Sequence, residues 1–371
     1  MNKLESILHK HKRPVKVVEV SNAPQCTRVR LTPQSRTLAS GKPGATTRVS
    51  HLRSLSLDIA AELGVRSVNI ATNERGIWLE VPKTKPDLVL ARDLRPGLNM
   101  SLPVVLGVGV QGETVGFDLS EASTPHALVA GTTGSGKSIL LHSIIRGLCA
   151  NTDYMNTYLV LIDTHSHESE AGSLKNHDGL GVWRESAHVC RAVTTAREAL
   201  VYLEAATSMV RERYSKSSSS QKYIFVIDEL ADLLSHPEYG DDIQAELIWL
   251  LANARKQGVH IIAATQRPSS DVTKGLLKAN FPVRIGMTVA SAIDSRIILD
   301  WSGAERLHGR GDGLVKIGAE VTRFQGAWVD DGDAQSVLRR AAPQEKEVVV
   351  EKKSKKGPLW SQIIKWWKRE V

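Results

Sequence analysis

Two stretches of this chain carry residue types suited to handling phosphate. The first, Gly131-Thr132-Thr133-Gly134-Ser135-Gly136-Lys137-Ser138, fits G-x-x-x-x-G-K-[S/T] at every fixed position. It follows an apolar run at 127–130 and opens another, so a strand is expected to lead in and a helix to lead out. The glycines let the backbone curl, so that successive N–H groups and the helix N-terminus face a β-phosphate. Lys137 is expected to bridge the β- and γ-phosphates, and the Ser138 hydroxyl to ligate Mg2+. No Asn-Lys-x-Asp guanine reader is present, which argues against GTP, and Mg2+ is the expected metal. The second stretch, 223–229, is an apolar run ending in Asp228 and Glu229, about ninety residues after the loop.

In a parallel sheet the C-terminal end of that strand lies beside the phosphate site. Asp228 is then expected to hold the magnesium shell, and Glu229 to polarise the attacking water. Alone, two adjacent carboxylates read equally well as a solvated turn; the phosphate loop turns the reading toward catalysis. Asp163 also ends an apolar run, at 158–163, and reads as a neighbour of the site. A third run, 260–265, ends in Gln266-Arg267-Pro268. Gln266 there is placed to sense the γ-phosphate and couple its loss to the loop beyond. Arg267 and Lys274 are candidates to meet a DNA backbone, against the plainer reading of a capped loop with surface charges.

These residues need a scaffold that brings strand ends together. From residue 126, short apolar runs at 127–130, 158–163, 223–228, 260–265 and 283–289 alternate with helical periods at 195–214 and 241–257. This is the rhythm of an α/β fold, with a mainly parallel sheet covered by helices on both faces. Residues 47–118 predict a small α+β domain. It has a helical pattern stopping at Gly64, strands at 67–71 and 77–81, and a hairpin from 102–109 and 113–118. Residues 1–46, rich in Arg, Thr, Ser, Pro and Gly over 18–44, predict a basic arm or linker. The motor domain is expected at 119–331, with a charged linker and amphipathic helix at 332–371.

The chain has 371 residues and a formal net charge of +8. The excess sits at the ends: residues 1–53 carry 11 Lys/Arg against 2 Asp/Glu, and 341–371 carry 8 against 4. Basic ends read as solvated tails or, more sharply, as contacts for nucleic acid or an anionic membrane. Three cysteines without a CxxC pair give neither a disulfide framework nor a zinc site, and fit a reducing cytoplasm. No stretch approaches the roughly 18 to 20 apolar residues of a membrane span. At the C-terminus, Leu359, Trp360, Ile363, Ile364, Trp366 and Trp367 fall on one helical face, opposite Lys365, Lys368 and Arg369. Residues 358–371 are therefore expected either to touch the inner membrane peripherally or to dock on a protein, its own ring included.

At these motifs the chain resembles the FtsK/SpoIIIE DNA translocases, over roughly residues 45–330. The matching stretches are 126–138, 226–232, 254–260, 264–268, 275–284, 293–296 and 299–300. The resemblance implies a RecA-like P-loop NTPase, preceded by the family's small domain, that hydrolyses ATP in a homohexameric ring to pump double-stranded DNA. It further implies that Arg255 reaches from one subunit into its neighbour's site, with Arg284 the next candidate. Loops after Gln266 and around 291–296, including Arg296, are implied to line the DNA channel. The chain departs from the family at Ala292, where a lysine is usual, and at Asp163-Thr164-His165, where Asp-Pro-Lys is usual. Neither the family's N-terminal membrane spans nor its C-terminal winged-helix module is visible. Two other readings stand beside a DNA motor: a secretion or conjugation coupling ATPase, and a non-motor factor switched by ATP. Intact Glu229, Gln266 and Arg255 argue against the last.

Overall fold

The computed structural model describes residues 2–37, 43–65, 67–165, 179–215, 221–267 and 279–340. The chain divides into two compact units, one of Met1–Val89 with Val108–Glu113, the other of Leu90–Gly107 and everything from Thr114 on.

The first unit begins with helix α1 (Asn2–Lys10), then β1 (Val15–Asn22), β2 (Cys26–Pro33) and a short pair, β3 (Ser35–Thr37) and β4 (Pro43–Thr46). Helices α2 (Val49–Ser54) and α3 (Ser56–Leu63) follow, then β5 (Asn69–Asn73) and β6 (Gly76–Pro82). The sheet runs β1-β2-β6-β5, antiparallel throughout. Leu4, Leu8, Leu52 and Ile59 of the helices pack on Val17, Val29, Leu31 and Leu79 of the sheet. Gly64 ends α3 at φ +72°, as its position predicts.

Val15–Pro33 are therefore not part of an arm: β1 and β2 build half of this sheet. Composition misled because the polar residues of β2 are satisfied across strands. Arg28 stands opposite Glu80, both are buried and paired at 3.5 Å, and the guanidinium lies 4.4 Å from the Trp78 ring centre.

The second unit holds a ten-stranded sheet ordered β11-β10-β12-β13-β9-β14-β15-β16-β7-β8. Its strands are β7 (Pro103–Gly109), β8 (Thr114–Asp118), β9 (His126–Ala130), β10 (Thr157–Ile162), β11 (Val189–Val193) and β12 (Lys222–Ile227). Then come β13 (Val259–Thr265), β14 (Val283–Gly286), β15 (Asp312–Ile317) and β16 (Glu320–Gly326). From β11 to β14 the pairing is parallel; β14, β15 and β16 pair antiparallel. Between strands lie α4 (Lys137–Asn151), α5 (Ala196–Ser215), α6 (Leu230–Leu234), α7 (Gly240–Asn253), α8 (Ala292–Leu299) and, last, α9 (Asp331–Arg340).

On one sheet face Leu203, Val210, Leu247 and Leu250 of α5 and α7 pack on Phe225, Ile227 and Ile261. The alternate residues Ile224, Val226, Ile262 and Ala264 are also buried, so both faces are covered, as the unbroken apolar runs predict. Two expectations change. The hairpin at 102–118 belongs to the edge of the large sheet, where β7 approaches β16 so closely that a Cβ on Gly107 would stand 1.8 Å from the Gln325 carbonyl oxygen. The strand expected at 283–289 stops at Gly286, because Met287–Val289 turn aside to serve the phosphate loop.

Candidate nucleotide site

β9 delivers the chain to Gly131 at the C-terminal edge of the sheet, between β13 and β14. The turn beyond it requires glycine: Gly134 and Gly136 sit at φ +78° and +103°. A Cβ on Gly136 would also come within 2.7 Å of the Gly311 nitrogen. Gly131 N–H donates to the Thr265 carbonyl at 3.2 Å, while Thr132 donates to the Thr288 carbonyl through N–H at 2.9 Å and Oγ1 at 3.0 Å. The loop is thus moored to the chain on both sides of β9. α4 starts at Lys137, which turns its N-terminal amides toward the loop.

Lys137 is buried, and its Nζ donates to the Asp228 carbonyl at 3.0 Å and to Glu229 Oε2 at 3.1 Å. Glu229 is gripped from β13 as well. Its Oε1 accepts from Thr265 Oγ1 at 2.7 Å, and its Oε2 from the Gln266 backbone N–H at 2.8 Å. Thr133 Oγ1 donates to Gln266 Oε1 at 2.7 Å, which ties the phosphate loop directly to that side chain. Lys137, Asp228, Glu229 and Gln266, spread over some 130 positions of the sequence, therefore meet at one edge of the sheet.

Asp228 is held differently. Its Oδ1 is buried without a hydrogen-bond donor among the described residues and stands 3.6 Å from Lys137 Nζ. Burial pushes its carboxyl above the usual range; Lys137 pulls it down, while Asp163 and Glu229 push it up again. A cation with unfilled oxygen positions suits such a group. No three His, Cys, Asp or Glu side chains gather as a metal cage among the described residues, so Mg2+ here would rest on Ser138, Asp228 and phosphate oxygens.

Asp163 is a neighbour, as its position at the end of β10 predicts. It is buried and accepts from His165 N–H at 3.0 Å and Leu180 N–H at 2.8 Å. His165 was not anticipated: its ring hydrogen-bonds the Asp232 carboxylate, which raises the imidazole pKa. The only sequence signal was the unusual Asp-Thr-His.

Arg255 stands apart from this cluster. Arg255 precedes β13, whose residues rise about 20 Å to Thr265. It lies at the opposite end of the sheet, exposed, donating to the Ala122 carbonyl at 2.8 Å. Arg284 on β14 pairs with Asp300 at 2.7 Å. Arg267 is exposed beside Gln266, and Arg296 is exposed on α8. Lys274 and the C-terminal segment 358–371 lie outside the described residues. Among the described residues no helix is long and apolar enough to cross a membrane.

The FtsK/SpoIIIE family model matches residues 97–221. The chain is 34% identical over 326 residues to the DNA translocase FtsK of Chlamydia pneumoniae, covering 80% of this chain and 40% of that protein. It is 33% identical over 364 residues to that of Caldanaerobacter subterraneus subsp. tengcongensis, covering 91% and 48%. The chain thus spans less than half the length of these relatives. Among solved structures, the pCW3 conjugation coupling protein TcpA with ATPγS shares the fold at TM-score 0.58 and 19% identity, covering 91% of this chain and 98% of that one. The cytoplasmic domain of the Type VII secretion ATPase EccC from Thermomonospora curvata matches at TM-score 0.56 and 25% identity, over 68% of this chain and 32% of that one.

Proposed function

Because the chain carries a domain of the FtsK/SpoIIIE family, we propose that it is an ATP-hydrolysing motor that moves double-stranded DNA through a ring of its own copies. The observation that carries this reading is the position of Glu229. A carboxylate fixed by Thr265, the Gln266 amide and Lys137 at the edge of the phosphate loop is placed to orient a water against a γ-phosphate. The phosphate loop and Lys137 would bind the triphosphate; Ser138 and Asp228 would hold Mg2+, which would supply neutralisation of phosphate charge. Lys137 exchanges its contact with Glu229 for the phosphates and so leaves Glu229 free to accept a proton from water.

Gln266 is joined to the phosphate loop through Thr133 and continues directly into Arg267, so a change at the phosphate is felt at Arg267. Arg255, at the far end of the strands from its own phosphate loop, serves the site of the next subunit, which makes turnover depend on assembly. Arg267, Lys274 and Arg296 supply sequence-independent contacts to the DNA backbone.

The test is ATP turnover by the purified chain with and without duplex DNA, together with displacement of a triplex-forming strand. DNA-stimulated turnover with ATP-dependent displacement is expected. Turnover indifferent to DNA in an assembled protein would refute DNA as the track. That result would favour transport of a polypeptide instead, a reading supported by the 25% identity to the secretion ATPase EccC.

A further inference from the structure

One turn beside the phosphate loop has no part in the mechanism above. Residues His308–Asp312 form it, and the sequence there, His-Gly-Arg-Gly-Asp, places Arg310 between two glycines. All three central residues have positive φ: Gly309 +74°, Arg310 +54° and Gly311 +91°. The turn is built rigidly. Gly311 N–H donates to the Ser135 carbonyl at 3.0 Å, and Gln325 Nε2 donates to the Arg310 carbonyl at 2.7 Å. Asp312, fully buried, accepts from His308 N–H at 3.0 Å and is clamped by Arg323 through Nε at 2.9 Å and an Nη at 2.7 Å.

The approach to the phosphate loop is close on both flanks of Arg310. A Cβ on Gly309 would lie 3.6 Å from the Gly134 carbonyl oxygen, and one on Gly136 would lie 2.7 Å from the Gly311 nitrogen. The same Gly309 position is 3.8 Å from Thr288 Oγ1, a buried hydroxyl without a partner among the described residues. Arg310 itself is exposed, and among the described residues no hydrogen bond or ion pair engages its guanidinium. An arginine in the left-handed region is strained where glycine would not be. The flanking glycines relieve their own positions, yet the middle one keeps a long cation whose backbone is pinned against the phosphate-binding turn. Such strain is a pointer to a side chain with work to do.

We propose that Arg310 is a second cation for the phosphate chain of the nucleotide bound in its own subunit, reaching it from the turn that buttresses Gly134, Ser135 and Gly136. This rests on the assignment of 131–138 as the nucleotide site. Lys137 enters the site from the helix side, and Arg310 from the side of β14 and β15. Because the turn is fixed by Ser135, Gln325 and the Asp312–Arg323 pair, the guanidinium is tethered a side-chain length from the loop, and little ordering of backbone accompanies its contact.

The decisive variant is Arg310→Gly, which removes the cation while relieving the backbone, so a loss of binding does not arise from a misshapen turn. Affinity for Mg-ATPγS and for inorganic tripolyphosphate is measured by calorimetry on the full chain, with Arg310→Lys and Lys137→Ala alongside. Expected are a roughly 10-fold or greater weakening for both ligands in Arg310→Gly, and partial recovery in Arg310→Lys, as a charge-assisted contact implies. The melting temperature of Arg310→Gly is expected to equal or exceed that of the unaltered protein. Unchanged affinity in Arg310→Gly, with binding abolished in Lys137→Ala, would overturn the role of Arg310 and leave the nucleotide site intact. Weakening for ATPγS but not tripolyphosphate would equally overturn it, assigning the contact to the nucleoside. Absence of nucleotide binding by the unaltered chain would overturn both readings.

Discussion

Acidification from pH 7 to pH 5 should weaken the large unit through two histidines that lie away from the nucleotide. His126 and His260 sit on adjacent strands, their ring centres 6.3 Å apart, both nearly inaccessible. His126 Nδ1 accepts the Ile261 N–H at 3.1 Å, a bond only an unprotonated nitrogen makes; His260 Nδ1 donates to the Pro125 carbonyl at 3.1 Å. Burial, with the neighbouring ring and Arg255 adding to it, pushes His126 down to about 3. Burial likewise pushes His260 down to about 4. Both folded values lie below the ordinary 6.5, so the unfolded chain takes up these protons first. The stability they contribute is complete above pH 6.5 and is lost as pH falls toward the folded values. At about 1.4 kcal/mol per pH unit per group, each ring costs about 2 kcal/mol by pH 5, and the pair about 4. Urea unfolding at pH 7 and pH 5, for the unaltered chain and for His126→Asn/His260→Asn, measures this. Asparagine offers an oxygen to Ile261 or an amide to Pro125 but does not titrate in this range. If the doubly substituted chain loses as much stability on acidification as the unaltered one, the reasoning is wrong.

Three further outcomes are expected. Glu229→Gln should bind Mg-ATPγS with little change yet lower turnover by on the order of 100-fold or more, measured by phosphate release, because it removes the acceptor for the water proton. Gly136→Ala should destabilise the large unit by about 1–3 kcal/mol and weaken nucleotide binding, seen in denaturant melts and calorimetry. The cause is its φ of +103° and the 2.7 Å approach to Gly311. Arg28→Met should cost the small unit about 3–5 kcal/mol by leaving Glu80 buried without its cation, whereas Arg28→Met with Glu80→Leu should recover most of it.

Most of the candidate nucleotide site was legible in the local sequence because phosphate recognition uses consecutive backbone amides. Residues 131–138 must therefore be contiguous, with their glycines at set intervals. The apolar runs of β9, β10, β12 and β13 were legible for a similar reason: strands covered on both faces carry no polar alternation to confuse them. The partners of Glu229 were only half legible, since the adjacency of β12 and β13 is a matter of strand order, which periodicity does not encode. What stayed hidden depends on contacts between distant positions. Arg28 looked like part of a basic arm until Glu80 and Trp78 were brought across from β6 to neutralise and cover it. The turn bearing Arg310 gave no signal in the sequence, because its contact with the Ser135 carbonyl is made only where the fold brings that residue to it from far along the chain.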